Sequence, residues 1–181
     1  MSPDTPSPQQ LQKLIRKVPD FPKPGIIFVD ITPILADPQG LDHAIKLMAR
    51  PFTSQNVDLV VGAESRGFVF GGPVARELNA CFIPVRKPGK LPAQTLSQEY
   101  ELEYGTDRLE IHADAIKPGQ RVLMVDDLLA TGGTMHACCE MVQKLGGEIV
   151  GIAFLIELAF LNGREKLKDF DPHTVITYDQ L

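Results

Sequence analysis

The chain has 181 residues, 44% of them hydrophobic and 23% charged, which suits one folded domain with a core of its own. A formal net charge of −5 argues against general nucleic-acid binding, which needs a basic stripe. No apolar run is long enough to span a membrane, and the polar start MSPDTPSPQQ has no signal-peptide pattern, so the expected location is cytoplasmic.

Residues 9–17 have a helical pattern, with Leu11, Leu14, Ile15 and Val18 on one face. The prolines of PDFPKPG (19–25) cannot continue that helix. IIFVDI (26–31) reads as a short strand or extended segment, and 39–50 as a helix ending near Arg50-Pro51. VDLVVGA (57–63) is a β-rich run, followed by Glu64-Ser65-Arg66-Gly67 and a helix to about Leu78. CFIPVRK (81–87) is the next strand. Residues 88–118 break the alternation with two short segments, around 96–103 and 107–112, that form a candidate hairpin about Gly105. A long polar excursion of this kind suits a lid.

RVLMVDD (121–127) is a further strand, with a helix after Thr134 that ends at Gly146-Gly147. EIVGIAFLIEL (148–158) and VITYD (175–179) complete the strands. Apolar strands alternating with helices predict an α/β fold, a mostly parallel central sheet with helices on both faces. Cys81, Cys138 and Cys139 make no disulfide framework and read as small core or surface residues. His43, His112, His136 and His173 have no metal-ligand spacing and read as structural or surface residues.

VLMVDDLLATGGT (122–134) carries the most chemistry. Its order places Asp126 and Asp127 at the carboxyl end of a buried strand and Thr131-Gly132-Gly133-Thr134 at the start of a helix. Open α/β sheets bind ligands at that location, and exposed N–H groups at a helix start suit a phosphate. The glycines let the backbone approach an anion, and the threonines add hydroxyl donors. The loop has no lysine and the chain has no G-x-G-x-x-G, so neither a nucleotide-triphosphate loop nor a dinucleotide fold is expected. Read alone, the stretch is a sugar-phosphate site.

The same string resembles the phosphoribosyl-diphosphate (PRPP) motif of type I phosphoribosyltransferases. FPKPGIIFVDITPIL (21–35), GAESRGFVFGGPVA (62–75), RKPGKLP (86–92) and YELEYGTDRLEIH (100–112) are similar to the adenine-using branch of that family. The resemblance covers about residues 9–179. It implies one phosphoribosyltransferase domain over 1–181, with an N-terminal arm and hood at 1–35 and a flexible lid hairpin within 88–118. The implied reaction is adenine plus PRPP giving AMP and pyrophosphate, with Mg²⁺, in a homodimer.

By this resemblance the 5′-phosphate sits on Ala130, Thr131, Gly132, Gly133 and Thr134. Asp126 and Asp127 meet the ribose hydroxyls and act on Mg²⁺ through its waters, so no direct metal ligand is assigned. Arg66 and Lys87 take the pyrophosphate side, and the superfamily's non-proline cis peptide falls at Glu64–Ser65. Lys90 reads more simply as a solvated turn. Phe28 and Leu128 sandwich the adenine, whose edge is read by the main chain at Ile27 and Val29. Glu103 is the acid/base near the purine ring, and Tyr104 covers the site against water. Two positions depart from animal-type sequences, Val29 and Pro88, which stand where basic residues are expected: Pro88 puts one pyrophosphate or subunit contact in question, while at Val29 main-chain contacts survive and only a side-chain role is lost.

Two rival readings are an enzyme for another purine and a non-catalytic PRPP sensor. The first conflicts with the FPKPGIIF segment, because oxopurine enzymes place their base readers elsewhere. The second usually needs an added DNA-binding module, and the length leaves little room for one.

Overall fold

The computed structural model describes residues 7–101 and 106–181. The chain starts with α1 (Pro8–Leu14), where the Ser7 side chain and Gln10 form a reciprocal cap and Pro8 occupies the first turn. The helix is shorter than its pattern predicts. Residues 16–19 instead form β1 (Arg16–Pro19), which pairs antiparallel with β2 (Ile27–Asp30). Val18 lies opposite Phe28 in that ladder, and the Arg16 guanidinium donates to Asp30 at 2.6 and 2.9 Å. Cross-strand pairing and Pro19 override a helical periodicity that has only two turns behind it. A short helix, α2 (Thr32–Leu35), follows; the sequence pattern did not predict it.

In α3 (Pro38–Ala49), Asp37 caps the Gly40 amide at 2.6 Å. Next come β3 (Leu59–Ala63), α4 (Arg66–Glu77) and β4 (Cys81–Val85). The lid excursion is a hairpin of β5 (Thr95–Glu101) and β6 (Thr106–His112). It is followed by β7 (Arg121–Leu129), α5 (Gly133–Lys144), β8 (Glu148–Leu158) and β9 (His173–Tyr178). Two 3₁₀ turns, Ala159–Leu161 and Gly163–Leu167, join the last two strands.

The central sheet has the order β4-β3-β7-β8-β9, and every pair in it is parallel. Its inner strands β3, β7 and β8 are largely buried on both faces, which is why they read as continuous apolar runs, while the edge strand β4 is only partly buried. Val60, Leu123, Val125, Ala153 and Leu155 point into one core with α1, α3 and α4 residues such as Leu11, Met48 and Phe70. Val61, Val122, Met124, Ile152 and Phe154 point into the other, against α5 and the lid residues Leu109 and Ile111. Each fully buried side chain of this size contributes roughly 1.5–3 kcal/mol. Cys138 and Cys139 are both buried in that second core, although they are adjacent on a helix. Helix α5 touches the sheet, the lid hairpin and the 163–167 turn, so more than one of its faces is covered.

The connection leaving β3 runs to β4 and the one leaving β7 runs the other way to β8, so the strand order reverses between β3 and β7. Ligands of open α/β sheets bind outside the carboxyl ends of the strands at such a point. No helix among the described residues is long and apolar enough to cross a membrane.

Candidate active site

Two cavities open at this switch point. The larger, about 330 Å³, is lined by Glu64, Ser65 and Arg66 after β3, by Lys87 after β4, and by every residue from Asp126 to Met135. Tyr100 and Leu109 of the lid close another side. The smaller, about 120 Å³, is mostly apolar and is lined by Ile26, Ile27, Phe28, Val29, Ile31, Ile156 and Leu158. Arg66, Asp127 and Leu128 line both.

Register explains the meeting of Arg66 with the acids. Gly62 pairs with Val125, so the chain leaving β3 passes level with Asp126 and Asp127. Arg66 is the first residue of α4, and its Nε donates to Asp127 Oδ2 at 2.5 Å. Asp127 is buried, whereas half of the Arg66 side chain is exposed. Asp126 Oδ1 accepts the Asp127 N–H at 2.9 Å. Burial, and then the neighbouring Asp127 charge, push Asp126 well above the usual carboxylate range. Strand β7 continues through Leu129, so the acids lie just inside its end rather than beyond it. The Glu64–Ser65 peptide is cis, as the resemblance implied.

Ala130 to Thr134 form a turn into α5, with Gly132 as the N-cap at φ +78°. A Cβ at Gly132 would lie 2.5 Å from the Gly163 carbonyl oxygen, and one at Gly163 would lie 2.2 Å from the Ala130 oxygen. The turn after β8 therefore braces the back of this loop. The first-turn amides of α5 lack helical partners, as at any helix start, and Gly133, Thr134 and Met135 line the larger cavity.

Ile27, Phe28, Val29 and Leu128 come together in the smaller cavity. Val29 is buried, and Phe21 packs edge-on to Phe28 with ring centroids 5.2 Å apart. Lys87 reaches the larger cavity, while Lys90 is exposed and lines neither cavity. Glu103 and Tyr104 lie outside the described residues. No histidine lines either cavity.

Sequence reasoning missed several residues at the site. Tyr100 lines the larger cavity and donates its hydroxyl to Asp107 at 3.1 Å. Asp107 also accepts from Lys87, and Glu64 accepts from Arg86 at 2.7 Å. The alternation of β5 and β6 carried a signal for Tyr100, but pairing across the hairpin base has no local signature. Ile156 and Leu158 are hidden within an evenly apolar strand.

A glycine-capped helix start, paired acids and the Arg66 loop meet at one switch point of a parallel sheet, the setting of a phosphoribosyltransferase. The family model described as the phosphoribosyl transferase domain matches residues 30–179. The chain is 57% identical to an adenine phosphoribosyltransferase of Koribacter versatilis, covering 99% of this chain and 100% of that one. It superposes on the crystal structure of the Thermoanaerobacter pseudethanolicus adenine phosphoribosyltransferase with a TM-score of 0.92 at 52% identity, covering 95% and 100% of the two chains. The Saccharomyces cerevisiae enzyme, crystallised with an imino-altritol bisphosphate and adenine, gives 0.85 at 38% identity, covering 92% and 96%. Within the phosphoribosyltransferase family, the chain belongs to the adenine phosphoribosyltransferases.

Proposed function

We propose that these two cavities hold the two substrates of the family reaction, adenine in the apolar one and PRPP in the polar one, and yield AMP and pyrophosphate. One observation carries the assignment: the cavities adjoin at Arg66, Asp127 and Leu128. A base in one and a ribose in the other would face each other across that junction.

Ala130 to Thr134 hold the 5′-phosphate through backbone N–H groups and the Thr131 and Thr134 hydroxyls, aided by the α5 dipole. Asp126 and Asp127 take the ribose hydroxyls. Arg66 and Lys87 face the pyrophosphoryl group and stabilise its charge as the anomeric C–O bond breaks. Phe28 and Leu128 flank the adenine ring, and the main chain at Ile27 and Val29 reads its edge, which needs no basic side chain at Val29. Glu103 accepts the purine proton as N9 attacks, and Tyr104 excludes water; both roles rest on the family resemblance.

No group of three His, Cys, Asp or Glu residues suited to a metal occurs among the described residues. Asp127 is engaged by Arg66, and Asp126 is held above the usual carboxylate range. This donor set fits a Mg²⁺ that arrives on the substrate oxygens and touches the acids through water, rather than an all-protein cage. When bound, the metal offsets charge on the leaving pyrophosphate. A homodimer is part of the same proposal and rests on the family resemblance. Sedimentation at micromolar concentration tests it, and a monomer there would contradict it.

The deciding assay is purified protein with PRPP, Mg²⁺ and each purine in turn. AMP should form from adenine alone. No turnover with adenine, or equal turnover with hypoxanthine, would overturn the substrate assignment. Glu103→Gln should lower turnover far more than PRPP affinity, and an unchanged rate removes Glu103 from the mechanism.

A further inference from the structure

Lys87 lies two residues past the end of β4, at the rim of the larger cavity. Its ammonium already has an internal partner, the Asp107 carboxylate on β6. An isolated antiparallel bridge accounts for that meeting. The Arg86 N–H donates to the Glu110 carbonyl at 2.8 Å, and the Glu110 N–H returns to the Arg86 carbonyl at 2.7 Å. The bridge ties the end of β4 to the lid hairpin and brings Lys87 within reach of Asp107, three residues before Glu110.

Asp107 is itself held in place. Its Oδ1 accepts the Arg108 N–H at 2.8 Å, and its Oδ2 accepts from both Lys87 and the Tyr100 hydroxyl. Tyr100 lines the same cavity as Thr134 of the phosphate loop. The bond to Lys87 holds Asp107 below the usual carboxylate range, so the acid is a full anion at neutral pH. The Asp107 side chain is 24% exposed and that of Lys87 43% exposed. A pair this close to solvent is weak enough to exchange partners.

We infer that Asp107 competes with the pyrophosphoryl group for the Lys87 ammonium, which it keeps in an internal ion pair until that group binds. Carboxylate and pyrophosphoryl group have the same charge sign and need the same N–H donors. Binding of the pyrophosphoryl group therefore exchanges an internal ion pair for an external one, and release of pyrophosphate restores the internal pair. Neither sequence position nor the phosphate motif assigns Asp107 this part. The inference rests on the proposal that Lys87 meets the pyrophosphoryl group.

The test is calorimetric titration of the whole protein with inorganic pyrophosphate and Mg²⁺, with product-inhibition constants as a second readout. Asp107→Asn and Asp107→Ala should each tighten pyrophosphate by about three- to tenfold, while the KM for adenine stays unchanged. A merely structural role would shift the thermal midpoint and leave pyrophosphate affinity unchanged or weaker. In a Lys87→Met background the gain from Asp107→Asn should shrink to under about twofold at physiological salt. Unchanged or weaker binding in both single variants, or the same gain without Lys87, would overturn the inference. If Lys87→Met alone leaves pyrophosphate affinity intact, the underlying reading of Lys87 fails instead, and the two failures are distinguishable.

Discussion

Arg66 donates to Asp127 at 2.5 Å, and among the described residues these two are the only charged ones that line both cavities. Their burial is unequal: the Asp127 side chain is 8% exposed and that of Arg66 50%. Removing either partner therefore has different consequences. Arg66→Gln leaves a buried carboxylate without its cation and should cost about 1–3 kcal/mol of stability. Asp127→Asn leaves an arginine that can turn to water and should cost less. Arg66→Gln should also lower kcat/KM for PRPP on the order of a hundredfold, the usual effect of losing a charged donor at a developing anion. Urea midpoints and initial rates check both parts, and equal destabilisation by the two variants would contradict the burial argument.

Gly132→Ala tests the brace behind the phosphate loop. At φ +78° a side chain is strained by about 1–3 kcal/mol, before any contact is counted. The new Cβ would also meet the Gly163 carbonyl oxygen at 2.5 Å, an atom of backbone that cannot swing aside. The loop should shift toward the ligand. KM for PRPP should rise on the order of tenfold to a hundredfold while KM for adenine changes little. A variant with ordinary PRPP kinetics would show that the loop tolerates the displacement.

Much of this site was legible because its chemistry is written in contiguous strings. The β7 run, its two acids and the glycine turn announce a phosphate site from local order alone. The Arg66 loop and Ile27–Val29 were found by resemblance to a family, since an arginine after a strand or a phenylalanine in an apolar run has no meaning by itself. What remained hidden depends on tertiary register. Asp107 meets Lys87 because of a bridge between Arg86 and Glu110, and Gly163 meets Gly132 across the end of the sheet. The β1 strand was missed for a related reason: Val18 fits a helix face until a partner strand competes for the same residue.

Glu157 and Arg164 anchor the turn that carries Gly163. Arg164 donates to both Glu157 oxygens, at 2.7 and 2.8 Å, and to the Pro172 carbonyl at 2.8 Å; Thr174 donates to Glu157 at 3.0 Å. The Glu157 side chain is only 4% exposed. Arg164→Met should therefore cost about 3 kcal/mol, because it leaves a buried carboxylate with one hydroxyl donor. Replacing both, as Glu157→Leu with Arg164→Met, should recover part of that loss, since the pair's worth is offset by its desolvation. Denaturant titration of the two variants decides this, and a double variant no better than Arg164→Met would mean that the pair is worth more than its burial costs.

His173 should give the fold a pH dependence of its own. Its Nε2 lies 3.1 Å from the Leu47 carbonyl oxygen, and its ring packs edge-on to Phe52. Burial lowers its pKa below 6.5, and the nearby Arg164 charge works in the same direction. The Nε2–H donation to that carbonyl works the other way, toward the protonated ring, but burial outweighs it, so the fold favours the unprotonated form. The sign then follows. Above the unfolded value of 6.5 both states are neutral and the His173 contribution to stability is fully present. As pH falls through 6.5 the unfolded chain takes up the proton first, and stability is lost until the folded ring also protonates. His173→Gln keeps an N–H donor for Leu47 without a titrating ring. Urea midpoints of both proteins, compared from about pH 8 down to about pH 5, should diverge least at the acid end. The other three histidines are present in both proteins and cancel in the difference. Parallel curves across that range would show that His173 titrates alike in the folded and unfolded chains.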